Sequence, residues 1–206
     1  MRSFRWHRGQ RNYPGWLWTA TTDSLVGYES LLERDRLLLA DFDGEVADIA
    51  SQPFWVSGRD GSRVRRHVPD YLLVGGDGAA VVVDVKPARM CEEPEVAAVL
   101  AWTGRLCAER GWRYEVFQGA DPVVLANVRF LAGGRRRRFV HQECAQALRH
   151  VAAAGMTLAE AEALVVGRDR LDVRAAALSL LWSGVWVVDL SVPLSSGSVL
   201  TQVRGG

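Results

Sequence analysis

The stretch from His67 to Pro87, HVPDYLLVGGDGAAVVVDVKP, limits what this chain can fold into more than any other segment. Two apolar runs rich in β-branched residues flank Gly75-Gly76-Asp77-Gly78, and this combination of strand and turn signals predicts a β-hairpin. Alternation along the second strand puts Asp84 and Lys86 on one face and Val83 and Val85 on the other. Antiparallel pairing can bring Asp70, in the first strand, beside Asp84. The same segment contains Lys86, and every other residue among the 25 lysines and arginines of the chain is an arginine.

Around this hairpin the sequence reads as a mixed α/β sheet flanked by helices. Leu31, Leu32, Leu38 and Leu39 recur among charges at near-helical spacing, which predicts a helix over about 28–40. "VADIASQPFWV" reads as a strand entering a turn at Gln52-Pro53. "PEVAAVLAWTGRLCAERG" reads as a helix stopped by Gly111, "WRYEVFQ" as a strand and "DPVVLANVRFLA" as a short helix. After Arg138 the pattern changes to three helices separated by Gly155, Gly167 and Gly184, then two strands around Pro193 and Gly197. Thr157 with Glu160 marks a capping box on the middle helix. Three short helices and a β-hairpin are the element order of a winged-helix-like domain. The expected organisation is a basic, aromatic arm over residues 1–22, a catalytic domain over 23–133 and a helical C-terminal domain over 134–206.

Composition excludes several classes. An apolar fraction of 49% and a formal net charge of +1 are those of an ordinary globular chain, not of a strongly basic nucleic-acid binder. Basic residues are nonetheless clustered, at Arg2, Arg5, Arg8 and Arg11 and in the run Arg135–Arg138. The three cysteines, Cys91, Cys107 and Cys144, have neither disulfide nor zinc spacing. No apolar run reaches the ~18–20 residues of a membrane helix and the N-terminus does not read as a signal peptide, so a cytoplasmic location with no membrane partner is expected.

The chemistry centres on the hairpin. Two carboxylates on adjacent strands can share one hard cation. Mg²⁺ takes oxygen ligands, usually one or two carboxylates plus water and substrate phosphate, and Mn²⁺ substitutes readily. An ammonium beside such a site can position a water and stabilise charge on a phosphate. Arginine is a poor replacement, because its guanidinium is a planar fork rather than a point donor. On the preceding helix, Glu29 and Glu33 lie on one face, and spacing alone does not choose which completes the metal shell. The backbone carbonyl of Val85 is a further metal-ligand candidate.

Asp70, Asp84 and Lys86 together form the PD-(D/E)xK pattern of restriction-endonuclease-like nucleases. With "YESLLERDRLLLADFDGEVADIASQPF", "HVPDYLLV" and "VVVDVKP" taken as a set, roughly residues 13–120 resemble the TnsA-type endonucleases of heteromeric transposases. The resemblance implies a restriction-endonuclease-like catalytic domain followed by a winged-helix-like domain, and phosphodiester hydrolysis at the 5′ ends of a transposon. It places the family's helix glutamate on Glu33, its first aspartate on Asp70 and its lysine on Lys86. Asp84 stands where many members carry glutamine. The implied cofactor is Mg²⁺. The implied partners are double-stranded DNA at transposon ends, a DDE-type transposase subunit and an AAA+ ATPase regulator.

Two other functions are compatible with the same residues. One is a stand-alone PD-(D/E)xK nuclease in restriction, defence or repair; the other is a non-catalytic DNA-binding or assembly module. Gln52 reads as a turn residue or a hydrogen-bonding neighbour of the site, and His67 as structural or as a general base. Trp182 and Trp186 read as core, while His141 and His150 receive no role. The acidic middle helix "TLAEAEALVV" would repel phosphate, which favours a protein-binding role for residues 139–206.

Overall fold

The computed structural model describes residues 13–203. Residues 1–12, the greater part of the expected arm, lie outside that range. The rest of the arm is not an appendage: Gly15–Thr19 (β1) pairs antiparallel with Ser24–Tyr28 (β2). The turn between them uses Asp23 at φ 47°, a left-handed conformation that aspartate tolerates better than most residues.

Leu31–Phe42 (α1) follows, capped by Ser30, whose hydroxyl accepts from the Glu33 amide. It buries Leu37, Leu38 and Ala40 and packs on the strands Val46–Ser51 (β3) and Ala80–Val85 (β7). Between these two strands come Val56–Asp60 (β4), Arg63–His67 (β5) and Tyr71–Gly75 (β6). Ala88–Cys91 (α2), Pro94–Glu109 (α3) and Arg113–Phe117 (β8) complete the first unit. The sheet order is β3-β6-β7-β8, antiparallel except for the parallel β7–β8 pair. This is a mixed sheet flanked by helices, as a restriction-endonuclease-like fold requires. Strand β7 is central, and Val82, Val83 and Val85 are buried along with Asp84. A bidentate pair from Arg36 to Glu115, 2.8 Å at both contacts, ties α1 to β8.

One element was not expected. Strands β4 and β5 form their own hairpin, closed by Gly61 at φ 61° in the first loop position, which is the demand of a type II′ turn. The expected strand "HVPDYLLV" is therefore two: His67 ends β5, and β6 starts at Tyr71.

The chain divides into two compact units at Gly119/Ala120, earlier than the expected boundary at residues 133–134. The helix Pro122–Leu131 (α4) lies in the second unit because Asn127 is bonded there: its side-chain amide donates to the carbonyls of Leu190 and Val192 and accepts from the Leu194 amide. Gln142–Val151 (α5), Leu158–Ala163 (α6) and Arg170–Trp182 (α7) follow, with both bonds of the Thr157–Glu160 capping box formed. Trp182 and Trp186 are buried. The final strand pair is shorter and further apart in sequence than expected, Trp186–Val187 (β9) with Gln202–Val203 (β10), and Pro193 and Gly197 lie in the intervening loop. The acidity of α6 is also partly cancelled, since Arg174 pairs with Glu162 at 2.8 Å.

Candidate active site

The site lies at one end of the β6–β7 pair. Tyr71 is opposite Val83, and the Asp70 amide donates to the Val83 carbonyl at 3.1 Å, so Asp70 falls across from Asp84 one step beyond the ladder. The turn after β3 fixes the Asp70 backbone from the other side: Gln52, at φ 46°, donates its amide to the Asp70 carbonyl at 2.9 Å.

Asp70 Oδ2 accepts from the Val85 amide at 2.7 Å and from Lys86 Nζ at 3.1 Å. Lys86 Nζ also donates to the Val85 carbonyl at 3.1 Å. This pair has an asymmetric electrostatic balance. Burial raises the Asp70 pKa, and the charge of Lys86 opposes that without cancelling it. At Lys86 burial acts downward but is outweighed by the charges of Asp70, Asp84 and Glu33, so the net shift is upward. Lys86 is therefore a firmly protonated cation facing a cluster of acids.

Asp84 has no exposed surface. His67 Nε2 lies 2.8 Å from both carboxylate oxygens, and the Tyr114 hydroxyl donates to Oδ2 at 2.5 Å. Toward an ionised Asp84, Nε2 is the protonated nitrogen. Burial, then the charge of Asp84, pushes the Tyr114 phenol well above its usual range, so it remains a donor. Tyr114 fits because Gly104 on α3 lies beneath it; a Cβ there would sit 3.0 Å from the ring.

Glu33 is turned toward its own helix. Oε2 accepts from the Glu29 amide at 2.7 Å and Oε1 from the Ser30 hydroxyl at 3.0 Å, so the carboxylate closes on the residues just before the helix. Burial first, with a contribution from the charge of Asp70, raises its pKa, so it lies within electrostatic reach of the hairpin acids. The expected shell of Asp70, Asp84 and Glu33 is not assembled as a set of three: among the described residues no group of three or more His, Cys, Asp or Glu is placed to hold a metal ion. Glu29, expected as the alternate helix carboxylate, instead precedes the helix, whose N-cap is Ser30, and it enters through its backbone amide and through its charge on Glu33.

Sequence reasoning missed Tyr114 and underrated His67. Both reach Asp84 from other strands, and no local pattern links them to it. The capping role of Glu33 did have a signal, because Ser30-Leu31-Leu32-Glu33 is itself a capping-box sequence.

Residues 43–119 match the family model described as TnsA-like endonuclease N terminal. The matched family is one of endonucleases. The stretch contains the whole of the four-stranded sheet together with Asp70, Asp84 and Lys86, and it supports the resemblance to TnsA-type endonucleases and a nuclease function. Glu33 and the second unit lie outside it. No curated protein matches the chain in sequence.

Proposed function

We propose that the chain is the metal-dependent DNA endonuclease subunit of a heteromeric transposase, hydrolysing phosphodiesters at the 5′ ends of a transposon. The observation that carries the reading is the convergence of Asp70, Asp84 and Lys86 at one end of β6–β7, inside the stretch similar to TnsA-like endonucleases.

Mg²⁺, with Mn²⁺ as substitute, suits the donors present. It needs only one or two carboxylates, because it retains waters and takes phosphate oxygens from the substrate. Asp70 and Asp84 supply hard oxygens, and a carboxylate offers about four lone-pair sites, so the bonds from His67 and Tyr114 do not exhaust Asp84. When bound, the cation supplies Lewis-acid stabilisation of the phosphoryl group and a more acidic water.

The remaining work belongs to the chain itself. Lys86, protonated and raised in pKa by its acidic neighbours, donates to the attacking water or to a phosphate oxygen; it does not remove a proton. Asp70 aims that ammonium, and the Val85 amide aims Asp70. His67 and Tyr114 hold the Asp84 carboxylate in one orientation. Docking of a DDE-type transposase or an AAA+ ATPase on the second unit is supported by Leu164, Val166 and Leu171, which are 49%, 87% and 79% exposed around the α6–α7 turn.

The test is nicking of a plasmid carrying the transposon ends, with Mg²⁺ and the partner proteins present. Lys86→Ala is expected to abolish nicking without changing the melting temperature appreciably. A Lys86→Ala protein that nicks at the wild-type rate would contradict the proposed role.

A further inference from the structure

The β4–β5 hairpin carries charge in an ordered way. On its inner face, Asp60 accepts from Arg65 and Arg105 at 2.6 Å each, and Arg63 donates to Glu95 at 2.6 Å. These bonds fasten the hairpin along α3, where a Cβ at Gly58 would lie 3.4 Å from the Trp102 ring, in ordinary contact. The available acids, Asp60 and Glu95, are thus consumed by inward arginines. On the outer face, the register pairs Ser57 with Arg66 and Arg59 with Val64. All four are exposed, and among the described residues neither Arg59 nor Arg66 has an acidic partner. The two arginines are diagonal neighbours, about 7–8 Å apart along such a ladder. The residue after Arg66 is His67, which contacts Asp84 directly.

We propose that this outer face, with Arg59, Arg66 and the Ser57 hydroxyl, binds the phosphate backbone of duplex DNA and leads it to the Asp70–Asp84–Lys86 site. This rests on the nuclease reading and extends it to the surface that grips the substrate. Guanidinium groups are strong phosphate donors, and diagonal placement lets them take successive phosphates of one strand. The II′ turn and the ion pairs to α3 hold the ribbon in place before DNA arrives, so little ordering is left to binding. Ordinary surface chemistry does not explain the pattern, since the same hairpin neutralises its other arginines.

The experiment is fluorescence anisotropy of a labelled duplex with the full chain, in EDTA so that cleavage plays no part, across a series of salt concentrations. Each phosphate contact contributes about −0.9 to the slope of log K against log salt. The double variant Arg59→Ala/Arg66→Ala is expected to make the slope shallower by about 2 and to weaken binding at least tenfold at moderate salt. Arg149→Ala, an exposed arginine on α5, is expected to leave the slope unchanged. Wild-type binding with an unaltered slope in the double variant would overturn the hairpin proposal alone, as would an equal loss in Arg149→Ala. No duplex binding by the wild type would overturn the DNA-nuclease reading with it.

Discussion

Asp84 is the residue on which the site's order depends. A carboxylate with no exposed surface is costly unless it is fully bonded, and His67 and Tyr114 supply those bonds. Removing one donor to a charged, buried acceptor costs about 1.5–3 kcal/mol. Tyr114→Phe is therefore expected to lower stability by about that amount in urea unfolding, and to slow nicking while leaving the sheet intact. Glu33 gives a prediction of opposite sign. Its folded pKa is raised, so its contribution to stability is fully present below the usual glutamate value of 4.5 and is lost as pH rises through the folded value. Above the folded value the ionised, buried carboxylate weakens the fold, and Glu33→Gln keeps a side chain able to cap the helix. The variant is expected to melt higher than wild type at pH 7 in EDTA, with the difference shrinking toward pH 4. A constant difference across that range would show that burial of the charge is not the cause.

At the scale of elements, what the sequence revealed followed local patterning. The β6–β7 hairpin was legible because two apolar runs flank four turn residues, and α3 because its apolar positions repeat between Pro94 and Gly111. The capping box at Thr157–Glu160 was legible for the same reason. The β4–β5 hairpin was not. "VSGRDGSRVRRH" has no alternating apolar face, because its inner face is bound to α3 by ion pairs instead of by hydrophobic side chains. The contact of His67 with Asp84 depends on that hairpin and was hidden with it. The close approach of β8 to α3 at Gly104 was equally silent in sequence. Gly104→Val is expected to force the Tyr114 ring away, costing about 1–3 kcal/mol, a typical overpacking penalty. Urea unfolding and the intensity of tyrosine–carboxylate perturbation in the near-ultraviolet spectrum check it.

For the whole molecule, the two units differ in what the sequence could disclose. The candidate site residues carry a spacing tied to chemistry, whereas the second unit is read from element order, and its boundary was displaced because α4 joins it through Asn127, whose partners lie more than sixty residues away. The second unit also depends on a close backbone approach: a Cβ at Gly134 would meet the backbone of Leu178 and Ser179 in α7 at 2.5 Å. Gly134→Ala is expected to lower the melting temperature of the full chain yet leave metal affinity unchanged, because Asp70, Asp84 and Lys86 all lie in the first unit. The most direct test of the central claim is a calorimetric titration of Mn²⁺ into the wild-type chain and into Asp70→Ala. Saturable binding in the wild type that is lost in the variant is the predicted result. Equal binding in both, or none in either, would contradict a metal site at the hairpin.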